Sequence, residues 1–137
     1  MEIKDIISEL WEQDKLPIIE GLVKADGSFY EMESRGLSAS KHFDAEKKDY
    51  REWCSSISVW QSLCHLNTVY YCGEGSYGGE GYLFAMNNNE VKWLFFYSSA
   101  NPFEKLWIEN DEIHVLNNNK VEWIFPIEKP EQMRTHK

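Results

Sequence analysis

Leu83-Phe84-Ala85-Met86-Asn87-Asn88-Asn89-Glu90-Val91-Lys92-Trp93-Leu94-Phe95 recurs thirty residues later as Ile113-His114-Val115-Leu116-Asn117-Asn118-Asn119-Lys120-Val121-Glu122-Trp123-Ile124-Phe125. Each copy reads as two strands joined by a turn, so residues 81–127 predict an antiparallel meander. A two-residue Asn88-Asn89 loop pairs Met86 with Val91 and Phe84 with Trp93. A three-residue loop would set Met86 against Glu90 and Phe84 against Lys92, and the apolar pattern selects the first register. Asn tolerates the positive φ that a type I′ turn needs at both central positions. The same rule sets Leu116 against Val121 and His114 against Trp123. Asn110-Asp111 makes a further tight turn that pairs Ile108 with Ile113 and Leu106 with Val115. One face then carries Trp107, His114, Leu116, Val121, Trp123 and Phe125. The other carries Leu106, Ile108, Ile113, Val115 and Ile124. Trp93 and Trp123 should occupy equivalent places on one face. Both faces are apolar, so both need cover. Two copies are too few for a solenoid or propeller.

The cover is expected from two helices. Ile3, Ile6, Ile7, Leu10 and Trp11 recur at helical spacing and predict an amphipathic helix over residues 2–13, stopped by Pro17. Tyr50, Trp53, Cys54, Ile57, Trp60 and Cys64 predict a second over 45–63, with Asp44 as its N-cap. Residues 55–59 also alternate, which would end that helix early. Asp26-Gly27 reads as a hairpin turn within 18–32, against a competing helical pattern in which Gly21 would cost about 1 kcal/mol. Residues 34–40 and 98–103 read as loops and 66–72 as a strand. Residues 128–137 read as a polar tail that frays. The expected fold class is α+β in one domain. Residues 1–65 are mainly helical, and five to six antiparallel strands follow in 66–127 with the two helices packed on them.

Composition bounds the function. The 137 residues hold 14 Lys and Arg against 23 Asp and Glu, a net charge of −9. Such a protein is a poor ligand for phosphate backbones or anionic membranes, so nucleic-acid and membrane partners are not expected. A basic protein partner is. An acidic chain is also ordinary among bacterial cytoplasmic proteins, and no N-terminal apolar segment or membrane-spanning run interrupts this one. Cys54, Cys64 and Cys72 are odd in number and show no CxxC spacing, which fits a reducing compartment and neither a disulfide framework nor a zinc site.

No catalytic motif is present, and no catalytic, metal or cofactor residue is expected. Gly73-Glu74-Gly75-Ser76-Tyr77-Gly78 matches GxGxxG, but a strand follows where a phosphate-binding helix should start. Cys64-His65 is not a nucleophile pair by adjacency. His42, His114 and His136 have no partner at metal spacing. Hydrolysis through Glu74 or Glu80 with His65 is the alternative chemistry, and a scaffold module is a third class.

The binding expectation has two places. The 73–81 loop presents Glu74, Tyr77 and Glu80, with Tyr77 as an aromatic anchor. The hairpin tip presents Glu109, Asp111 and Glu112. From residue 73 to 112 only Lys92 and Lys105 stand against Glu74, Glu80, Glu90, Glu104, Glu109, Asp111 and Glu112. Opposite charge would speed association, and the anchor would slow dissociation.

A small, acidic, aromatic-rich chain without catalytic motifs resembles the immunity proteins of bacterial polymorphic toxins and contact-dependent growth inhibition systems. Leu16-Pro17 after an amphipathic helix, then Asp26-Gly27, is similar to the start of the SUKH immunity superfamily, with Ile18-Ile19 where that superfamily carries a tyrosine. The resemblance implies a cytoplasmic protein that binds a cognate toxin, often a basic nuclease domain, and blocks its active site.

Overall fold

The computed structural model describes residues 2–34, 36–42 and 49–136, with only the backbone described for 39–42. One helix, α1 (Ile3–Trp11), opens the chain. The strands are β1 (Lys15–Pro17), β2 (Gly21–Lys24), β3 (Ser28–Glu33), β4 (Gly36–His42), β5 (Cys54–His65) and β6 (Thr68–Gly75). They continue with β7 (Gly81–Asn87), β8 (Glu90–Tyr97), β9 (Phe103–Glu109), β10 (Glu112–Asn117), β11 (Glu122–Pro126) and β12 (Arg134–His136). Every recorded pairing is antiparallel. Eight strands form one sheet in the order β1-β5-β6-β7-β8-β2-β3-β4, and four form another in the order β12-β11-β10-β9.

The expected α+β class is therefore overturned: 58% of the chain is strand and 10% helix. The helix expected over 45–63 is the main error. Its N-cap Asp44 and residues 43–48 lie outside the described residues, and from Cys54 onward the chain is a twelve-residue strand. Four serines and the β-branched Ile57 and Val59 favour extended chain over helix. The ladder with β6 then satisfies one side of its backbone from Ile57 to His65. The described part of residues 1–65 is thus mainly strand. The loop expected over 34–40 is largely β4, paired with β3. The tail expected to fray is tied down by β12 on β11 and by buried Met133.

The meander is not one sheet. The turn at residues 98–102 carries the chain from β8 in the larger sheet to β9 in the smaller, so the two repeat copies face each other. Between the sheets lie Tyr70, Leu83, Trp93, Phe95, Phe103, Ile113, Val115, Trp123 and Phe125. Trp93 stacks on Phe125 at 5.8 Å, and Phe95 meets Trp123 at 5.6 Å. On the other face of the larger sheet α1 covers Tyr82, Phe84, Leu94 and Phe96 with Ile3, Ile6, Ile7 and Leu10. Both faces of β7 and β8 are buried, which accounts for their near-continuous apolar sequence.

Three expected pairs are corrected: Phe84–Trp93, His114–Trp123 and Leu116–Val121, the last because Leu116 opposes Glu122. Asn88 and Asn89 do form a two-residue turn at φ 52° and 66°, and Met86 opposes Val91. A bulge follows, so Trp93 opposes Ala85 and Phe84 opposes Leu94. In the second copy Trp123 opposes Val115 and His114 opposes Ile124. The slip of one residue moves Trp123 and Phe125 from the face of His114 to the face of Val115. Trp93 and Trp123 hold equivalent places, but in two facing sheets. The Asn110-Asp111 turn and its pairs Ile108–Ile113 and Leu106–Val115 stand as expected. The Asp26-Gly27 turn does too, with Asp26 accepting the Ser28 N–H.

Candidate functional site

A pocket of about 420 Å³ opens where β5 begins, β8 ends and the 76–80 turn crosses between them. Ile18, Glu52, Trp53, Cys54, Tyr77, Glu80 and Ser98 line it. Glu80 is 2% exposed. Its Oε1 accepts a 2.6 Å hydrogen bond from Ser55 Oγ and a longer one from the Tyr77 N–H. Ser55 Oγ in turn accepts the Ser76 N–H. A Cβ at Gly75 would collide with the Glu80 carboxylate and one at Gly73 with the Ser58 carbonyl, and Gly78 takes φ +47° in the turn toward β7. These glycines thus serve a buried carboxylate and a turn, which is a structural account of the GxGxxG match.

Trp53 and Tyr77, 48% and 68% exposed, stand at the pocket as large aromatic surfaces. No Lys or Arg is among its lining residues. Neighbouring Arg51 turns its guanidinium to Glu9 with a 2.7 Å contact, and that bond raises its pKa. Two carboxylates and two aromatic rings, with no Lys or Arg among the described lining residues, suit a positively charged guest.

The expected site residues divide. Tyr77 and Glu80 come together, although Glu80 is a buried group at the pocket rather than a solvated loop carboxylate. Glu74 is half-buried within β6, opposite Ser58 and Gly81. Glu109 and Asp111 are exposed at the far end of β9, one strand-length of roughly 20 Å from the turn that contacts Gly79. Glu112 is bound by both arms of Arg134 at 2.5 and 2.9 Å, which holds its carboxyl below the usual range. The acidic tip therefore loses one of its three expected charges to an internal pair.

The alternative hydrolytic set is not brought together: His65 opposes Thr68 at one end of β5, while Glu74 opposes Ser58 roughly 23 Å along the strand. Burial pushes the Cys72 thiol up to about 12, and its Sγ meets Phe103 O, so it is no thiolate nucleophile at neutral pH. All three cysteines are free. Among the described residues no group of three potential metal ligands occurs, and no helix is long and apolar enough to cross a membrane. His114 packs against Trp107 at 5.2 Å with Nδ1 2.5 Å from Glu122, and His136 lies 3.7 Å from the same carboxylate.

The large exposed hydrophobics of the described residues are Trp53, Val59, Trp60, Leu66 and Tyr77. All lie within 25 consecutive residues. Sequence reasoning missed Trp53, Val59, Trp60 and Leu66 by placing the first three within a helix, Trp53 and Trp60 on its apolar face. One signal was available: residues 54–73 contain no Asp, Glu, Lys or Arg, in a chain that is 27% charged. Compared with known proteins, the chain matches no family model, no curated protein and no solved structure.

Proposed function

We propose that this chain is a binding protein of the immunity type, which neutralises a bacterial toxin with a basic face by direct contact. A Lys or Arg side chain of the toxin enters the pocket between Trp53 and Tyr77 and meets Glu80. One observation carries the reading: two exposed aromatics, Trp53 and Tyr77, stand beside a buried carboxylate in a pocket with no Lys or Arg among its described lining residues. Aromatic anchors in a desolvated pocket dominate the energy of protein interfaces. The buried acid adds charge where solvent screening is weak. Glu109 and Asp111, at the other end of β9, supply long-range attraction more than affinity.

The test is co-expression with the toxin domain encoded beside this chain, followed by binding kinetics on the purified pair. The chain should restore growth. Trp53→Ala and Tyr77→Ala should each raise Kd about 30-fold, mainly through faster dissociation. Glu80→Gln keeps the bulk and a Ser55 partner and should raise Kd about tenfold or more. A chain that fails to restore growth, or three variants that bind as tightly as the parent, would contradict the proposal.

A further inference from the structure

The outer edge of β5 carries a second surface, distinct from the pocket. β1 pairs with β5 only at residues 54–56, and Ile57 N–H donates to Asp14 O at 2.8 Å. Beyond that point no described strand pairs with this edge of β5, although β9 crosses close to it at Gln61. Natural proteins protect such edges with lysines, prolines, inward charges or bulges, because unpaired backbone groups invite another strand. β5 has one of these devices, a bulge between Val59 and Gln61. Gln61 is then held by its side chain, which accepts the Leu106 N–H at 2.7 Å. From Ser62 to His65 the register with β6 is regular, and no charge, lysine or proline blocks the free side. Ser62 and Cys64 are exposed, and Leu66 beyond them is 81% exposed.

We propose that this edge pairs antiparallel with the same edge of a second copy, joining two eight-stranded sheets across a two-fold axis. Charge selects the occupant. At −9 overall, two copies repel each other over most approaches. The uncharged hairpin of residues 54–73 is where they meet without like charges in contact. A basic partner gains nothing from a neutral edge and is better served by the pocket at the opposite end of β5. An isologous contact of this kind needs only a self-complementary patch. Trp60 and Leu66 add apolar area beside a short ladder, so the dimer should dissociate on dilution.

Sedimentation of the full chain tests this, with reductant present so that Cys64 cannot link copies covalently. Between roughly 1 and 300 μM the weight-average mass should rise from that of one chain toward twice that value. The double variant Ser62→Lys, Cys64→Lys places lysines on exposed positions of the edge and should remain a single chain throughout. Hydrogen exchange of the parent gives a second reading without substitution: the Ser62 and Cys64 amides, which face away from β6, should slow at least several-fold at the higher concentration, and those of β4 should not. A parent that stays monomeric would overturn the proposal. So would a dimer unaffected by the two lysines, or exchange of the Ser62 and Cys64 amides that ignores concentration.

Discussion

The two copies of the hairpin share a sequence but not a turn. In the first, Asn88 and Asn89 both adopt positive φ, and a bulge before Trp93 adds one residue to β8. In the second, only Lys120 is left-handed, at φ 65°, and the loop runs over three residues with no bulge after it. Asn117 accounts for the difference. Its Nδ2 donates to Ala100 O at 2.8 Å, and its Oδ1 accepts the N–H groups of Asn119 and Val121. Asn118 N–H is also taken, by Pro102 O. Contacts with the 98–102 turn thus choose a wider loop. Both routes arrive at one register: Ala85–Trp93 matches Val115–Trp123, and Leu83–Phe95 matches Ile113–Phe125. Burial of the same side chains against each other constrains the outcome more tightly than the turn does.

That comparison can be broken most severely at its shared core. Phe95→Ala and Phe125→Ala remove equivalent rings, each fully buried and each touching the other at 5.1 Å. Each should cost about 3–5 kcal/mol in chemical denaturation, and the double variant should lose less than the sum because the two share a contact. Unequal losses would show that the copies are not equivalent in the interior. The turns should differ more. Asn117→Ala orphans three partners and should cost about 1–3 kcal/mol, whereas Asn87→Ala, half-buried in the first copy, should stay within about 0.5 kcal/mol. The left-handed positions should show the smallest effects, Lys120 before Asn89. A left-handed Lys is strained by about 1 kcal/mol, and its exposed 3.0 Å pair with Glu104 returns only part of that. Lys120→Gly should therefore raise stability by about 0.5 kcal/mol. Asn89→Gly should gain less, because Asn already tolerates that region.

The sequence was legible where local chemistry decides. α1 follows from its apolar spacing, and the Asp26-Gly27, Asn88-Asn89 and Asn110-Asp111 turns follow from residues that accept their φ values. It was illegible where distant contacts decide. Nothing local to Asn117 announces Ala100 as its partner, and nothing in residues 81–127 announces that the turn at 98–102 changes sheets. β5 misled because its apolar residues fit a helical spacing while its serines and β-branched residues fit a strand, and only β6 settles the choice. The candidate site shows the same division. Tyr77 was found as an aromatic between glycines. Glu80 was found for its charge, but its burial beside Ser55 and Trp53 depends on a strand that had been read as a helix.

Cross-strand nuclear Overhauser effects in the labelled protein test the shared register most directly. Trp93 should contact Ala85 across β7–β8, Trp123 should contact Val115 across β10–β11, and the rings of Trp93 and Phe125 should contact each other between the sheets. Trp93 opposite Phe84, Trp123 opposite His114, and no contact between the two copies would contradict it.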